Sequence, residues 1–172
     1  MTEAKRHVAR VAGVDSATAQ RLFADAIGRW RTQGVRVAGV LEETHGLAGR
    51  ACTAGILRDV VSGERHSIYL ETLPPDKVCH IDADGAEQAG ASVLAGIAAC
   101  DVVVLSKFGK LEAQGRGLFP AFAAATAAGK PVLTTVSAKH LEAWNAFAPG
   151  AKVIAPSLAA IGHWWSSRGP QF

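Results

Sequence analysis

The chain has 172 residues, of which 49% are hydrophobic and 19% are charged, and its formal net charge is +3. These values are typical of one soluble globular domain and argue against a disordered chain. No apolar run approaches the roughly 18 residues that cross a bilayer, and the first fifteen residues lack a continuous apolar segment, so we expect a cytoplasmic protein without a membrane partner. The basic residues are scattered rather than arranged in a stripe with aromatic side chains, which disfavours nucleic acid as a partner.

Strands and helices alternate along the chain, which predicts an α/β fold: a mostly parallel sheet covered on both faces in three layers, with one domain over 1–172. A hairpin around Ser62-Gly63-Glu64 is expected as an antiparallel addition to that sheet. The predicted elements are a strand over 7–14, a helix over 15–33, a strand over 35–41, a loop over 42–51, hairpin strands over 55–61 and 65–70, a connection over 71–84, a helix over 85–99, a central strand over 101–105, a helix over 118–128, a strand over 131–136, a helix over 137–147, a strand over 151–155 and a helix over 157–167.

The turn between the first predicted strand and the first predicted helix, 13–20, has the sequence GVDSATAQ. A phosphate-binding P-loop reads GxxxxGK[ST], and only Gly13 matches that pattern, because Thr18, Ala19 and Gln20 replace the second glycine, the lysine and the hydroxyl. The favoured interpretation is an ordinary strand–helix turn with an N-cap. The free amides of the helix start would still hold an anion weakly, with Gly13, Ser16 and Thr18 as ligand-binding residues.

The segment 100–117, CDVVVLSKFGKLEAQGRG, combines a buried strand with a basic, glycine-rich loop. Ligands of open α/β sheets bind at the carboxyl ends of strands, and this loop begins at such an end. Lysine, arginine and backbone amides suit an anion, which makes Lys107, Gly109, Lys110 and Arg116 candidate ligand-binding residues. Glu112 would orient a water or a cation, or pair with a basic neighbour. The alternative is that the charges are solvated and held in salt bridges.

Three residues, Cys52, Cys79 and His80, are candidates for a thiolate–imidazole metal site, with His45 and His66 as further donors. Sequence spacing supports this weakly, because the chain contains no CxxC pair. The favoured alternative is that the cysteines are small apolar residues of the interior. Disulfides are not expected, since the three cysteines are an odd set in a chain expected to be cytoplasmic.

The motif SKFGKLEAQGRG over 106–117, with Cys52 ahead of Arg58-Asp59 and the segment 140–150, resembles an uncharacterised bacterial domain family. The order of elements is also similar to the small P-loop nucleoside-triphosphatase family known from thermophiles. The resemblance implies a P-loop NTPase type of fold and an association with molybdenum transport. It also implies degenerate motifs, since Ser106-Lys107 stands where that family has an acidic pair.

These observations lead to the hypothesis of an atypical nucleotide- or oxyanion-binding protein, accessory to molybdenum or metal-oxyanion handling. The expected partner is a small anion such as a nucleotide, phosphate or molybdate; a homo-oligomer is compatible with the sequence, and no cofactor is assigned. A second hypothesis is a divergent nucleoside-triphosphatase that uses Lys107 and Lys110 as cations and Glu112 as the catalytic base. A third is a metal-binding or interaction protein built on Cys52, Cys79 and His80.

Overall fold

The computed structural model describes residues 7–44, 54–68 and 82–168. Within these ranges, no helix has the length and apolar character needed to cross a membrane. The elements in chain order are β1 (Val8–Val11), α1 (Ser16–Thr32), β2 (Val37–Thr44), β3 (Ala54–Asp59), β4 (Arg65–Ser67), α2 (Ala83–Gly96), β5 (Val102–Leu105), α3 (Lys110–Ala113), α4 (Phe119–Ala127), β6 (Val132–Thr135), a 3-10 turn (Ala138–His140), α5 (Leu141–Phe147), β7 (Lys152–Ile154) and α6 (Leu158–Ser166).

The described strands form one sheet in the order β4-β3-β2-β5-β6-β1-β7. The pairs β2–β5, β5–β6, β6–β1 and β1–β7 are parallel, whereas the β2–β3 and β3–β4 pairs are antiparallel. The predicted mostly parallel sheet and its hairpin addition are therefore confirmed. β5 is the middle strand, and its four residues have 0% exposure, as expected of a strand that helices cover on both faces.

Helices pack on both faces of the sheet, which gives the predicted three layers. On one face α1 and α6 share an apolar cluster in which the ring centroids of Trp30 and Trp165 lie 5.0 Å apart. On the other face α2, α4 and α5 contribute to a second cluster, where Phe122 and Trp144 pack edge to face with centroids 6.1 Å apart. The carboxyl ends of the parallel strands consequently open between two helical layers.

Several boundaries differ from the sequence prediction, and two of them concern the end of β2 and the segment after β6. β2 continues to Thr44, whereas the sequence predicts a loop from Glu42 onwards. Its last residues pair with β3, and the Glu43 carboxylate forms ion pairs with Arg58 and Arg65, so polar side chains continue the strand. The predicted helix over 137–147 is a 3-10 turn followed by α5. Most of the predicted connection over 71–84 lies outside the described residues.

Asp59 links the β3–β4 hairpin to α2 through hydrogen bonds. One carboxylate oxygen accepts a hydrogen bond from the Ser92 hydroxyl at 2.6 Å, and the other accepts from the amides of Val61 at 2.8 Å and Ser62 at 3.0 Å. Burial raises the pKa of Asp59, but these hydrogen bonds outweigh it, and the pKa lies below its ordinary value. Ionised Asp59 therefore stabilises the folded state.

We expect this contribution to depend on pH. Because the folded-state pKa of Asp59 is lowered, its stabilisation is present above the unfolded pKa of about 3.9 and is lost as pH falls through the folded value. Asp59→Asn keeps an acceptor for both amides but cannot ionise. Urea unfolding across the acid range should therefore show a shallower loss of unfolding free energy in this variant than in the wild type. An identical acid dependence would contradict the assignment.

Candidate anion-binding site

Two adjacent clefts open at the carboxyl edge of the sheet. The first, which we call the basic cleft, has a volume of about 590 Å³ and lies between the loop after β5, the start of α2 and the 3-10 turn after β6. The second, the turn cleft, has a volume of about 570 Å³ and lies beside the β1–α1 turn. Lys107 and Ser137 line both clefts, so the two spaces are neighbours.

The structure brings most of the sequence-predicted ligand residues to these two clefts. Gly13 and Ser16 line the turn cleft, whereas Thr18 lines neither, because its amide donates to the N-cap Asp15 at 2.7 Å and its hydroxyl accepts from Arg21. The predicted residues that line the basic cleft are Lys107, Gly109, Lys110, Glu112 and Arg116.

Lys139 and His140 also line the basic cleft, and neither is part of the predicted site. Both belong to the 3-10 turn that follows β6, the strand beside β5. Their position directly after a neighbouring parallel strand could have predicted this placement, because the carboxyl ends of such strands meet at one edge of the sheet.

Phe108 anchors the loop that carries the lysines. Its amide donates to the Thr135 carbonyl at 2.8 Å, and its carbonyl accepts from the Ser137 amide at 3.1 Å, which extends the β5–β6 pairing beyond the strand. The residue is 1% exposed, and its ring lies 5.4 Å from the Phe122 ring and 5.3 Å from the Trp144 ring, centroid to centroid. The aromatic side chain enters the core, while the flanking lysines line the cleft.

The Glu112 side chain joins the two ends of the loop after β5 by hydrogen bonds. It is 8% exposed, one carboxylate oxygen accepts from the Gly109 amide at 2.9 Å, and the other accepts from the Leu118 amide at 3.0 Å. Hydrogen bonds from amides to a carboxylate are stronger than neutral ones. This geometry gives Glu112 a structural role in joining the two ends of the loop, and its predicted catalytic role stays a prediction.

Gly117 leaves room for this contact. Its φ is +60°, and a Cβ atom there would lie 2.7 Å from a Glu112 carboxylate oxygen, which is too close. Gly115, two residues earlier, has a similar φ of +75°, but a Cβ atom on it would meet no heavy atom within 4 Å. The two glycines therefore share a backbone requirement and differ in the space around them.

This difference predicts unequal effects of alanine. Gly115→Ala should cost about 1 kcal/mol, the ordinary penalty for a left-handed residue. Gly117→Ala should cost about 2–4 kcal/mol, because it also displaces the buried carboxylate from its amide donors. Denaturant unfolding of the two variants measures the difference. Equal destabilisation would show that the Glu112 contact contributes little.

Gln20 continues the hydrogen-bonding pattern where β2 and β5 separate. Its side-chain nitrogen donates to the Ser106 carbonyl at 3.0 Å, and its side-chain oxygen accepts from the Glu42 amide at 2.9 Å. The residue is 7% exposed. A polar side chain from α1 thus satisfies backbone groups at the ends of two strands that no longer pair with each other.

The basic cleft carries excess positive charge. Among the described residues, Lys107, Lys110 and Lys139 have no acidic partner within salt-bridge distance. Arg116 is paired, since its Nε lies 3.1 Å from the Glu87 carboxylate, and both side chains are about half exposed. Within the described part of the chain, the salt-bridge interpretation therefore holds for Arg116, and the lysines of this loop have no such partner.

The described ranges contain no group of three or more histidine, cysteine, aspartate or glutamate side chains arranged to hold a metal ion. Cys52, Cys79 and His80 lie outside the described residues, so the predicted thiolate–imidazole site stays a prediction. Cys100 is buried, with its thiol directed to the Ile97 carbonyl at 3.2 Å.

The sequence matches a known family and a longer curated protein. A family model described as protein of unknown function (DUF2478) matches residues 8–164. The molybdenum import ATP-binding protein ModC 2 of Bradyrhizobium diazoefficiens is 36% identical over 135 residues, which is 77% of this chain but only 15% of that protein's length.

A solved structure shows the same fold. The solution structure of a human cancer-related nucleoside triphosphatase superposes with a TM-score of 0.63 at 19% identity, covering 96% of this chain and 100% of the other. This confirms the predicted P-loop NTPase type of α/β fold.

Proposed function

This chain belongs to the DUF2478 family of proteins of unknown function, and from its own geometry we propose that it binds a small phosphorylated or oxyanion ligand in the basic cleft. The observation that carries the proposal is the convergence of Lys107, Lys110 and Lys139, which have no acidic partners among the described residues. Like charges held near one cavity repel one another, and a bound anion relieves that repulsion.

The size and walls of the basic cleft favour a ligand larger than a bare oxyanion. Its volume of about 590 Å³ falls in the range of small-molecule sites, roughly 300–1,000 Å³. One part of the lining is apolar, with Leu57, Ile68, Leu111 and Leu118. A nucleotide, which joins a charged phosphate chain to a less polar body, matches this division better than phosphate or molybdate alone.

The named relatives support the choice of ligands. The 36%-identical relative is named as an ATP-binding protein of molybdenum import, which supports ATP and molybdate as the first compounds to test. An accessory role in molybdenum or metal-oxyanion handling is the finer part of the proposal. Because the chain spans 15% of that protein, the activity of the whole relative is not assigned to this chain.

Binding without efficient hydrolysis fits the residues present. Ala19 stands at the P-loop lysine position, and Ser106-Lys107 stands at the position of the acidic pair. The lysine and the acid that normally help to neutralise the charge of a transferring phosphoryl group are therefore replaced. Glu112, the base of the alternative hypothesis, has both oxygens occupied by backbone amides. These observations favour a binding protein over a divergent nucleoside-triphosphatase.

A charge-removal series tests the proposed site. Lys107→Gln and Lys110→Gln should each weaken ATP binding by about tenfold or more, because a hydrogen bond to a charged group contributes about 1.5–3 kcal/mol. Lys152→Gln is the matched control, since Lys152 is exposed on β7 and lines neither cleft. Isothermal titration with ATP, GTP, phosphate, sulfate and molybdate measures the affinities. Equal losses in all three variants would indicate non-specific attraction and contradict the site.

Turnover measurements separate the two function classes. We expect purified protein to release no phosphate from ATP or GTP above the buffer rate, because the parts that stabilise phosphoryl transfer are missing. Phosphate release with magnesium is the readout. Turnover that disappears in Lys107→Ala would instead establish the divergent nucleoside-triphosphatase.

A further inference from the structure

Magnesium in a P-loop enzyme is held by a hydroxyl at the end of the P-loop and by an acid at the end of a neighbouring strand. In this chain Gln20 stands at the hydroxyl position and Ser106-Lys107 at the acidic position. Whether the site fits a magnesium ion therefore depends on what these replacements do in the folded protein.

The Gln20 amide is used within the fold. Its nitrogen donates to the Ser106 carbonyl and its oxygen accepts from the Glu42 amide, at 3.0 and 2.9 Å, and the residue is 7% exposed. Both ends of the amide are therefore engaged between two strands. Directing the oxygen to a metal ion would leave a partly buried backbone amide without this partner, which is unfavourable.

Three of the four carboxylate oxygens on the described residues that line the basic cleft accept hydrogen bonds. Glu112 has both oxygens on backbone amides, and one oxygen of Glu42 accepts from the Ser16 hydroxyl at 3.2 Å. Magnesium requires nearly octahedral oxygen ligands and is usually anchored by one or two carboxylates. Lys107 lies at the junction of the two clefts and contributes a positive charge that repels a cation. The described residues that line the basic cleft therefore do not fit magnesium.

We propose that the basic cleft binds its phosphorylated ligand as the metal-free anion, with Lys107 supplying the charge that magnesium supplies in P-loop enzymes. This inference rests on the proposed function.

The proposal predicts the response of binding to magnesium. Magnesium chelated by ATP neutralises part of the negative charge of the ligand, which weakens its attraction to the three lysines of the basic cleft. ATP should therefore bind about threefold to tenfold more weakly with saturating magnesium than with EDTA at constant ionic strength. Sulfate does not chelate magnesium appreciably, so its affinity should be the same in both buffers and controls for effects of magnesium on the protein.

Isothermal titration with ATP and with sulfate, in EDTA and in magnesium, distinguishes the outcomes. ATP binding that is retained in EDTA and weakened by magnesium supports the inference. ATP binding that requires magnesium overturns it and leaves the proposed function intact. The absence of ATP and sulfate binding in both buffers overturns the proposed function and this inference together.

A pair of variants tests the role of Lys107 itself. Lys107→Gln removes the charge, and Lys107→Asp also returns an acid to the strand end. Both should lose affinity for ATP in EDTA, and magnesium should restore part of the affinity of the aspartate variant alone. Thermal unfolding confirms that each variant is folded. ATP affinity in EDTA that is unchanged by both substitutions would overturn the assignment of Lys107.

Discussion

Glu112 is a buried carboxylate that accepts hydrogen bonds from the backbone at both ends of the loop after β5. The site depends on this interaction, because it holds the loop without using the lysines. A loop held by salt bridges would have its lysines paired with acids, and little charge would remain for a ligand. Here the amides of Gly109 and Leu118 satisfy the carboxylate, and Gly117 provides the space that this contact requires. The lysines are consequently left to line the basic cleft.

Polar and aromatic side chains also complete the backbone pairing at the other strand ends. Gln20 bridges β2 and β5 where their pairing stops, and Phe108 extends the pairing of β5 with β6 while its ring enters the core. Both residues stabilise an edge at which backbone groups would otherwise lack partners. The crevice that remains is the general ligand position of open α/β sheets. In this chain Gln20 holds backbone groups at that edge, and Lys107 lines the crevice.

Much of the fold follows from local pattern. Short β-branched runs bounded by turn residues predict the buried strands, and the hairpin around Ser62-Gly63-Glu64 follows from its turn. The extension of β2 to Thr44 does not follow from local pattern, because Glu42 and Glu43 are polar. They become strand residues only through pairing with β3 and the ion pairs of Glu43. The single turn of α3 is likewise not predictable from pattern, since four residues carry too little periodicity to identify a helix.

The sequence by itself determined the α/β class, the central position of β5 and the placing of a basic, glycine-rich loop at its carboxyl end. These features depend on residue type and short-range spacing, which the chain displays directly. Only the tertiary structure decided how these charges are arranged among the described residues, because Arg116 pairs with Glu87 on α2 and Lys139 from the turn after β6 joins the other lysines in the basic cleft. It also decided that Glu112 and Gln20 hold backbone amides. The partners of Gln20 are brought close by packing of strands and helices, whereas those of Glu112 lie within six residues of it and are set by the conformation of the loop. Neither composition nor periodicity records these contacts.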